Sequence, residues 1–299
     1  MFLMLALGYF MRIKGLWDAP FIARLNGIVF KTFFPMHIFI SIYQTDLATA
    51  VNGPLLVFML AFLAFEIVVP WLLVPHMESD CKKQGVIIQG LFRANILLFG
   101  IPITASLCGQ QYAGTAAVLV GAVVPIYNVM AVVVLEAFRG GKPNLRKMAH
   151  GVATNPLILG AVVAVLLMLL QIDLSAPVEK AVADMAKITT PLSMVILGGS
   201  FHFSQVRHNA RPLSIILLGR LVVLPAIGLA VAVWLGFRGP ELGVLLSLLT
   251  VPVAVSSFTM AQQMGGDGEL AGQAVVFSAL GSIVTIFFWI FSFKQLGLI

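Results

Sequence analysis

Of the 299 residues, 60% are hydrophobic and only 10% charged, whereas soluble domains carry roughly a quarter charged residues. The apolar residues fall in runs of roughly twenty, the number of helical residues that crosses a hydrocarbon layer about 30 Å thick. These properties exclude a soluble enzyme and point to lipid as the solvent. The net charge of +6 lies almost wholly in short polar connections and is not interleaved with aromatic residues, so it reads as topology-setting charge and not as a nucleic-acid surface.

In chain order the apolar runs predict ten spans: 1 to 11, 20 to 45, 53 to 75, 84 to 109, 113 to 138, 148 to 170, 177 to 201, 211 to 236, 240 to 265 and 270 to 294. The opening MFLMLALGYFM lacks the basic region of a signal peptide. It reaches only about half of a bilayer, which predicts a truncated first span and a natural start upstream. Residues 139 to 147 (RGGKPNLRK) form the most polar connection and divide the chain into 1 to 138 and 148 to 299. If the loop after the first span faces the cytoplasm, that side receives Arg12, Lys14, Arg24, Lys82, Lys83, Arg139, Lys142, Arg146, Lys147, Arg207 and Arg211. The other side receives only Lys180, Lys187, Arg238 and Lys294. The asymmetry predicts a multi-pass protein of the cell (inner) membrane, with both termini outside and the central loop cytoplasmic.

Internal similarity organises these spans. FGIPITASLCGQQYAGTAAV in the fourth resembles LTVPVAVSSFTMAQQMGGDGELAGQAVV in the ninth, with Pro102 and Pro252 150 residues apart. A similar offset relates FFPMHIF around Pro35 to TTPLSMV around Pro191. Five spans per half is an odd number, so the halves must be inverted, and Pro-interrupted helices in corresponding positions mark the site of a transporter. GIP at 100 to 102 and TVP at 250 to 252 are therefore the expected breaks, although a proline can also merely kink a packed helix.

Several polar side chains lie where an unsatisfied group in hydrocarbon costs several kcal/mol. The amide of Asn95 suits a substrate carboxylate or hydroxyl, or equally an interhelical hydrogen bond. Asn128 poses the same choice, and Asn155 sits where it could simply cap a helix. Glu66, Arg93 and Arg220 are intramembrane charges. Glu66 and Arg93 come from adjacent spans at comparable depth and suggest an ion pair, with anion attraction by Arg93 or Arg220 the functional alternative; Arg220 could also snorkel to the membrane face. His37, beside Pro35, is a packing histidine or a gate. Ser256, Ser257, Thr259, Gln262 and Gln263 supply neutral oxygens of the kind an alkali cation takes, or serve close helix packing. No HExxH motif, paired membrane aspartates or Ser/His nucleophile is present, so no enzymatic activity is expected.

Taken in order, RANILLFGIPI at 93 to 103, NVMAVVVLE at 128 to 136, TNPLILG at 154 to 160, TTPLSMVILGG at 189 to 199 and VPVAVSSFTMAQQMGGD at 251 to 267 resemble the auxin efflux carrier family. Its bacterial members include malate and malonate permease-like proteins. The resemblance implies an all-α fold of ten transmembrane helices in two inverted five-helix repeats, similar to sodium-coupled bile-acid symporters. Helices 1, 2, 6 and 7 would form a scaffold, and helices 4 and 9, broken and crossed, would belong to a moving core. It implies that Asn95, followed by Gly100, Ile101 and Pro102 at the family's spacing, faces substrate. The long cytoplasmic loop of the plant proteins is missing, and where their fifth-helix glutamine falls this chain has Val123 or a neighbour, which favours a small dicarboxylate over auxin. The expected substrate site comprises Arg93, Asn95, Gly100, Ile101, Pro102, Asn128, Val251 and Pro252, with ion coupling at Ser256, Gln262 and Gln263. No cofactor is expected; coupling to Na+ or H+ stays open, as does a homodimer. A sodium-coupled bile-acid-type symporter, an aromatic-carboxylate exporter and a non-transporting receptor are the alternatives.

Overall fold

A computed structural model describes residues 1–44, 52–140, 145–202 and 205–299. Part of the polar connection 139 to 147, namely residues 141–144, therefore lies outside the described residues. Thirteen helical segments order the described chain: α1 (Phe2–Ile13), α2 (Ala19–Tyr43), α3 (Gly53–Met77), α4 (Cys81–Phe92), α5 (Ile96–Cys108), α6 (Gln110–Ala137) and α7 (Leu145–Ala153) come first. They are followed by α8 (Pro156–Leu169), α9 (Ala176–Ser200), α10 (Ala210–Trp234), α11 (Gly239–Leu249), α12 (Ser256–Gln263) and α13 (Gly268–Gln295).

Six of these, α2, α3, α6, α9, α10 and α13, are long and apolar enough to cross a membrane unaided. Ten spans were expected, the first short and the fourth and ninth interrupted, and the shorter helices among them have local causes. The fourth expected span is divided into α4 and α5 and the ninth into α11 and α12, while the sixth is divided at Thr154–Asn155 into α7 and α8. Helix starts are set by side chains that accept the first free amides: Asp18 takes Phe21 N at 2.7 Å, Asp80 takes Lys82 N at 2.9 Å, Asn155 takes Leu157 N at 2.9 Å and Asp267 takes Leu270 N at 2.9 Å. Asn155 thus fills the capping role of its two readings.

Three prolines within the spans are accommodated in the same way, while Pro70, Pro75, Pro125 and Pro191 lie inside uninterrupted α-helix. A five-residue π segment precedes each of Pro35, Pro102 and Pro225, at Val29–Phe33, Ile96–Gly100 and Gly219–Val223. Proline clashes with the carbonyl four residues back and cannot donate to it, and a locally widened turn relieves both problems. Pro102 therefore sits inside a continuous helix, exposed on its surface. The expected break at GIP falls instead at Arg93–Asn95, two turns earlier. The expected break at TVP is found, over Thr250–Val255.

Two groups of helices pack around these breaks. In one, α1 lies along α9, and α2 lies against α8 and α9. A Cβ added to Gly8 of α1 would come within 1.8 Å of the Val195 carbonyl oxygen, and one on Gly198 of α9 within 2.0 Å of the Leu5 carbonyl oxygen. Without a hydrophobic force between helices in lipid, such backbone-to-backbone approach is what dispersion contacts require. In the other group, α4 packs on α3 and α6, α11 on α5 and α10, and α12 on α13. The lengths repeat along the chain: α2 and α9 both have 25 residues, α3 and α10 both have 25, and α6 and α13 both have 28. In each pair the starts are separated by 157 or 158 residues, not by the 150 that the Pro102–Pro252 match suggested.

Candidate functional site

The two breaks cross and hold one another through main-chain atoms. Ala94 pairs with Val253 in an isolated antiparallel bridge. Asn95 N donates to the Pro252 carbonyl at 2.8 Å, and Ala254 N donates to the Arg93 carbonyl at 3.0 Å. Backbone groups freed inside hydrocarbon must find protein partners, and here each break supplies the other's. The lack of an N–H on Pro252 costs this joint nothing, since only its carbonyl is used.

Arg220 closes the joint from one side. It is fully buried, so the snorkelling alternative is excluded. Its Nη2 donates to Leu249 O at 2.8 Å, its Nε to Val251 O at 3.1 Å and its Nη1 to Leu91 O at 3.2 Å. These carbonyls end α4 and α11, so one guanidinium satisfies the negative ends of both half-helices. Its charge is balanced by Glu66, with Nη1 to Oε1 at 2.9 Å and both side chains buried. The ion pair expected between Glu66 and Arg93 is thus made by Glu66 and Arg220. Adjacent spans and comparable depth favoured the first pairing; the structure brings Arg220 to Glu66 and turns Arg93 to Asn128 and Met260.

Arg93 is left with a different environment. It is 3% exposed and makes no ion pair with any carboxylate among the described residues. The guanidinium donates through Nη2 to Asn128 Oδ1 and through Nη1 to Met260 Sδ, the latter at 2.8 Å. A thioether is a weak acceptor, so a buried positive charge remains uncompensated. Asn128 has its oxygen committed to Arg93, which leaves its amide NH2 as the group it can offer to a ligand.

Arg93, Asn95, Asn128 and Ser256 line one cavity of about 380 Å³ between the crossing and α2, α6 and α9. The first turn of α5 (Ile96, Leu97, Leu98) and the start of α12 (Val255, Ser256) form its inner wall. Helix N-termini present unsatisfied amides and a partial positive charge, so two of them and Arg93 act in one direction. A second cavity of about 690 Å³ shares His37, Leu97, Val124, Lys187 and Thr190 with the first and extends to Ser41 and Gln44. Ile101 lines this outer cavity. Of the remaining candidates, Gly100 packs on Leu248 and Ser247 of α11; Val251 is buried with its carbonyl on Arg220, and Pro252 with its carbonyl on Asn95. Those three and Pro102 are outside the lining of both cavities. Gln262 accepts a hydrogen bond from Asn26 Nδ2, and Gln263 lies against Gly27 of α2. Sequence reasoning missed Tyr127, Lys187, Thr190 and Met194 as wall residues. Thr190 and Met194 flank Pro191 on one face of α9 at four-residue spacing, the signal that could have found them.

A polytopic helical protein with two mutually paired helix breaks beside a charged cavity belongs to the class of membrane transporters. The family model described as "Membrane transport protein" matches residues 1–154 and 142–290, and the chain belongs to that family. It is similar to an uncharacterized transporter of Methanothermobacter thermautotrophicus, 23% identical over 289 residues, covering 95% of this chain and 93% of that protein. It is also similar to an uncharacterized transporter of Methanocaldococcus jannaschii, 21% identical over 296 residues, covering 96% and 94% respectively.

Proposed function

We propose that this membrane transport protein is a secondary active carrier of a small organic anion, a dicarboxylate such as malonate or malate, working by alternating access. Arg93 carries the reading. A cation 3% exposed and without a carboxylate partner is costly in a membrane interior, and a cavity at its side offers a place where an anionic ligand neutralises it. The N-termini of α5 and α12 add to the same field, and Asn95 and Asn128 supply amide hydrogens to carboxylate oxygens.

The architecture consistent with this role has ten transmembrane elements in two inverted repeats, 1 to 138 and 148 to 299. The equal lengths of α2 and α9, of α3 and α10, and of α6 and α13 support that division. In this register Pro252 corresponds to Asn95 and not to Pro102. The helices α1, α2, α7, α8 and α9 form the scaffold, and the rest form a core whose crossing carries the anion. With the basic loops placed inside by charge asymmetry, the cavity opens outward by way of His37, Lys187 and Gln44, while the Asn26–Gln262 hydrogen bond closes the opposite side.

Uptake of labelled malonate and malate into proteoliposomes tests the proposal. Asn95→Ala and Arg93→Gln should abolish uptake while leaving expression and monodispersity intact. Unchanged uptake in both variants, or no uptake of any dicarboxylate or aromatic carboxylate by the wild type, overturns it.

A further inference from the structure

On the far side of the crossing from the Arg93 cavity lies a smaller one of about 170 Å³, walled by the end of α9 (Leu197, Ser200) and the two residues after it (Phe201, His202), by Phe258 and Gln262 of α12, and by the first turns of α13 (Gly268, Glu269, Gly272, Gln273). Gln273 is 1% exposed, and neither its Oε1 nor its Nε2 has a hydrogen-bond partner. Two further buried polar atoms in the same wall, Ser200 Oγ and Glu269 Oε1, are also without one. Unmatched buried polar atoms each cost of the order of 1–3 kcal/mol, and natural proteins keep such groups where something binds them.

The chemistry of the wall selects the ligand. The unpartnered atoms of this wall are three oxygens, one of them from a carboxylate, and one amide NH2. The cations nearby are already engaged: Arg12 donates to Gly199 O at 3.4 Å, to Phe201 O at 3.1 Å and to His202 Nε2 at 2.6 Å. That last bond makes Nε2 the acceptor and places the imidazole proton on Nδ1, 4.0 Å from Glu269 Oε1. His202, accepting from Arg12, then supplies no positive charge to offset a carboxylate at Glu269. An anion is disfavoured by that carboxylate. A divalent metal is disfavoured because no group of three or more His, Cys, Asp or Glu is present among the described residues. One carboxylate and two neutral oxygens match a single positive charge on a hard ion, and the volume leaves room for waters, each of which occupies about 30 Å³. Gln273 Nε2 would donate to such a water.

We propose that this cavity is a binding site for a monovalent alkali cation, held by Glu269 Oε1, Gln273 Oε1 and Ser200 Oγ and completed by water. The site is separate from Ser256, Gln262 and Gln263 as a ligand set; Gln262 contributes only to the rim, where it is exposed and opens the cavity to solvent. Because α9 belongs to one packing group and α12 and α13 to the other, a bound cation ties the two together at this face. Its occupancy therefore favours the arrangement in which the Arg93 cavity is open on the opposite side.

The binding itself does not rest on the transport reading and is tested without substrate. Thermal unfolding of the purified full-length chain is measured in sodium, potassium, lithium and choline chloride at equal ionic strength. A ligand that binds only the folded state raises its stability in proportion to the logarithm of concentration above its dissociation constant. At least one alkali chloride should raise the midpoint in a saturable, concentration-dependent way relative to choline. Glu269→Gln and Gln273→Leu should each lose that rise, Ser200→Ala should move it to higher concentration, and Arg93→Gln should retain it. Identical midpoints in all four salts, which would mark a cavity filled by water alone, overturn the proposal, as does an undiminished rise in Glu269→Gln, which would place the cation elsewhere. If Gln273→Leu fails to fold, Glu269→Gln and Ser200→Ala decide the matter in the same way.

Discussion

Replacing Arg220 with methionine separates the two buried arginines by what each does. The substitution preserves length and apolar volume but removes the partner of Glu66 and the donor to Leu91 O, Leu249 O and Val251 O. Removing one member of a buried pair costs about 3–5 kcal/mol, because the other is left charged in a low-dielectric interior. The three carbonyls add about 1–3 kcal/mol for each that no water reaches, so the total is at least about 4 kcal/mol. Arg93→Met breaks no ion pair and removes a charge with no counterion, so its stability should equal or exceed that of the wild type. Unfolding in detergent, followed by thermal shift and by denaturant titration, provides the comparison. The double variant Glu66→Leu with Arg220→Met should recover part of the loss, since both charges then leave together. Arg220→Met as stable as wild type, or Arg93→Met destabilised to the same degree, would refute the assignment of one arginine to structure and the other to ligand.

Three further outcomes follow from local geometry. Gly198→Val places side-chain atoms where the Leu5 carbonyl already stands, so size-exclusion profiles should show loss of monodisperse protein, with Gly198→Ala milder and the surface Gly114→Ala without effect. Asn155→Ala removes the hydrogen bond to Leu157 N at 2.9 Å and should lower stability by about 1 kcal/mol in denaturant titration. Asp184→Asn, which dissolves the exposed pairs with Lys180 and Lys187, should leave the thermal midpoint unchanged, since solvent and salt already screen those charges.

Apolar runs made the six long spanning helices legible, because hydropathy reports directly on transfer into lipid. The crossing was half legible. TVP at 250 to 252 marks a true break, but GIP at 100 to 102 does not, since proline can be absorbed by a π turn as readily as by an interruption. The first break carries no glycine or proline; Arg-Ala-Asn at 93 to 95 unwinds because the opposite chain supplies its hydrogen bonds, and a partner 159 residues away leaves no local mark. Matching the prolines consequently shifted the internal register by about two turns. Arg93, Asn95 and Asn128 stood out as polar residues in apolar runs, and the cavity gathers all three. Which acid paired with which arginine was not legible, because Glu66 and Arg220 are 154 residues apart and only the orientation of two helices brings them together.

The joint between the two breaks is built from main-chain nitrogen and oxygen, atoms that every residue owns. Side chains at 94, 253 and 254 can therefore drift without unlocking it, provided they stay small enough for the strands to touch. The residues that line the cavity, at 93, 95, 128 and 256, can then be exchanged while the joint beneath them keeps its shape. Such a division lets one backbone joint carry many different cavity surfaces, since its bonds do not depend on the side chains displayed there.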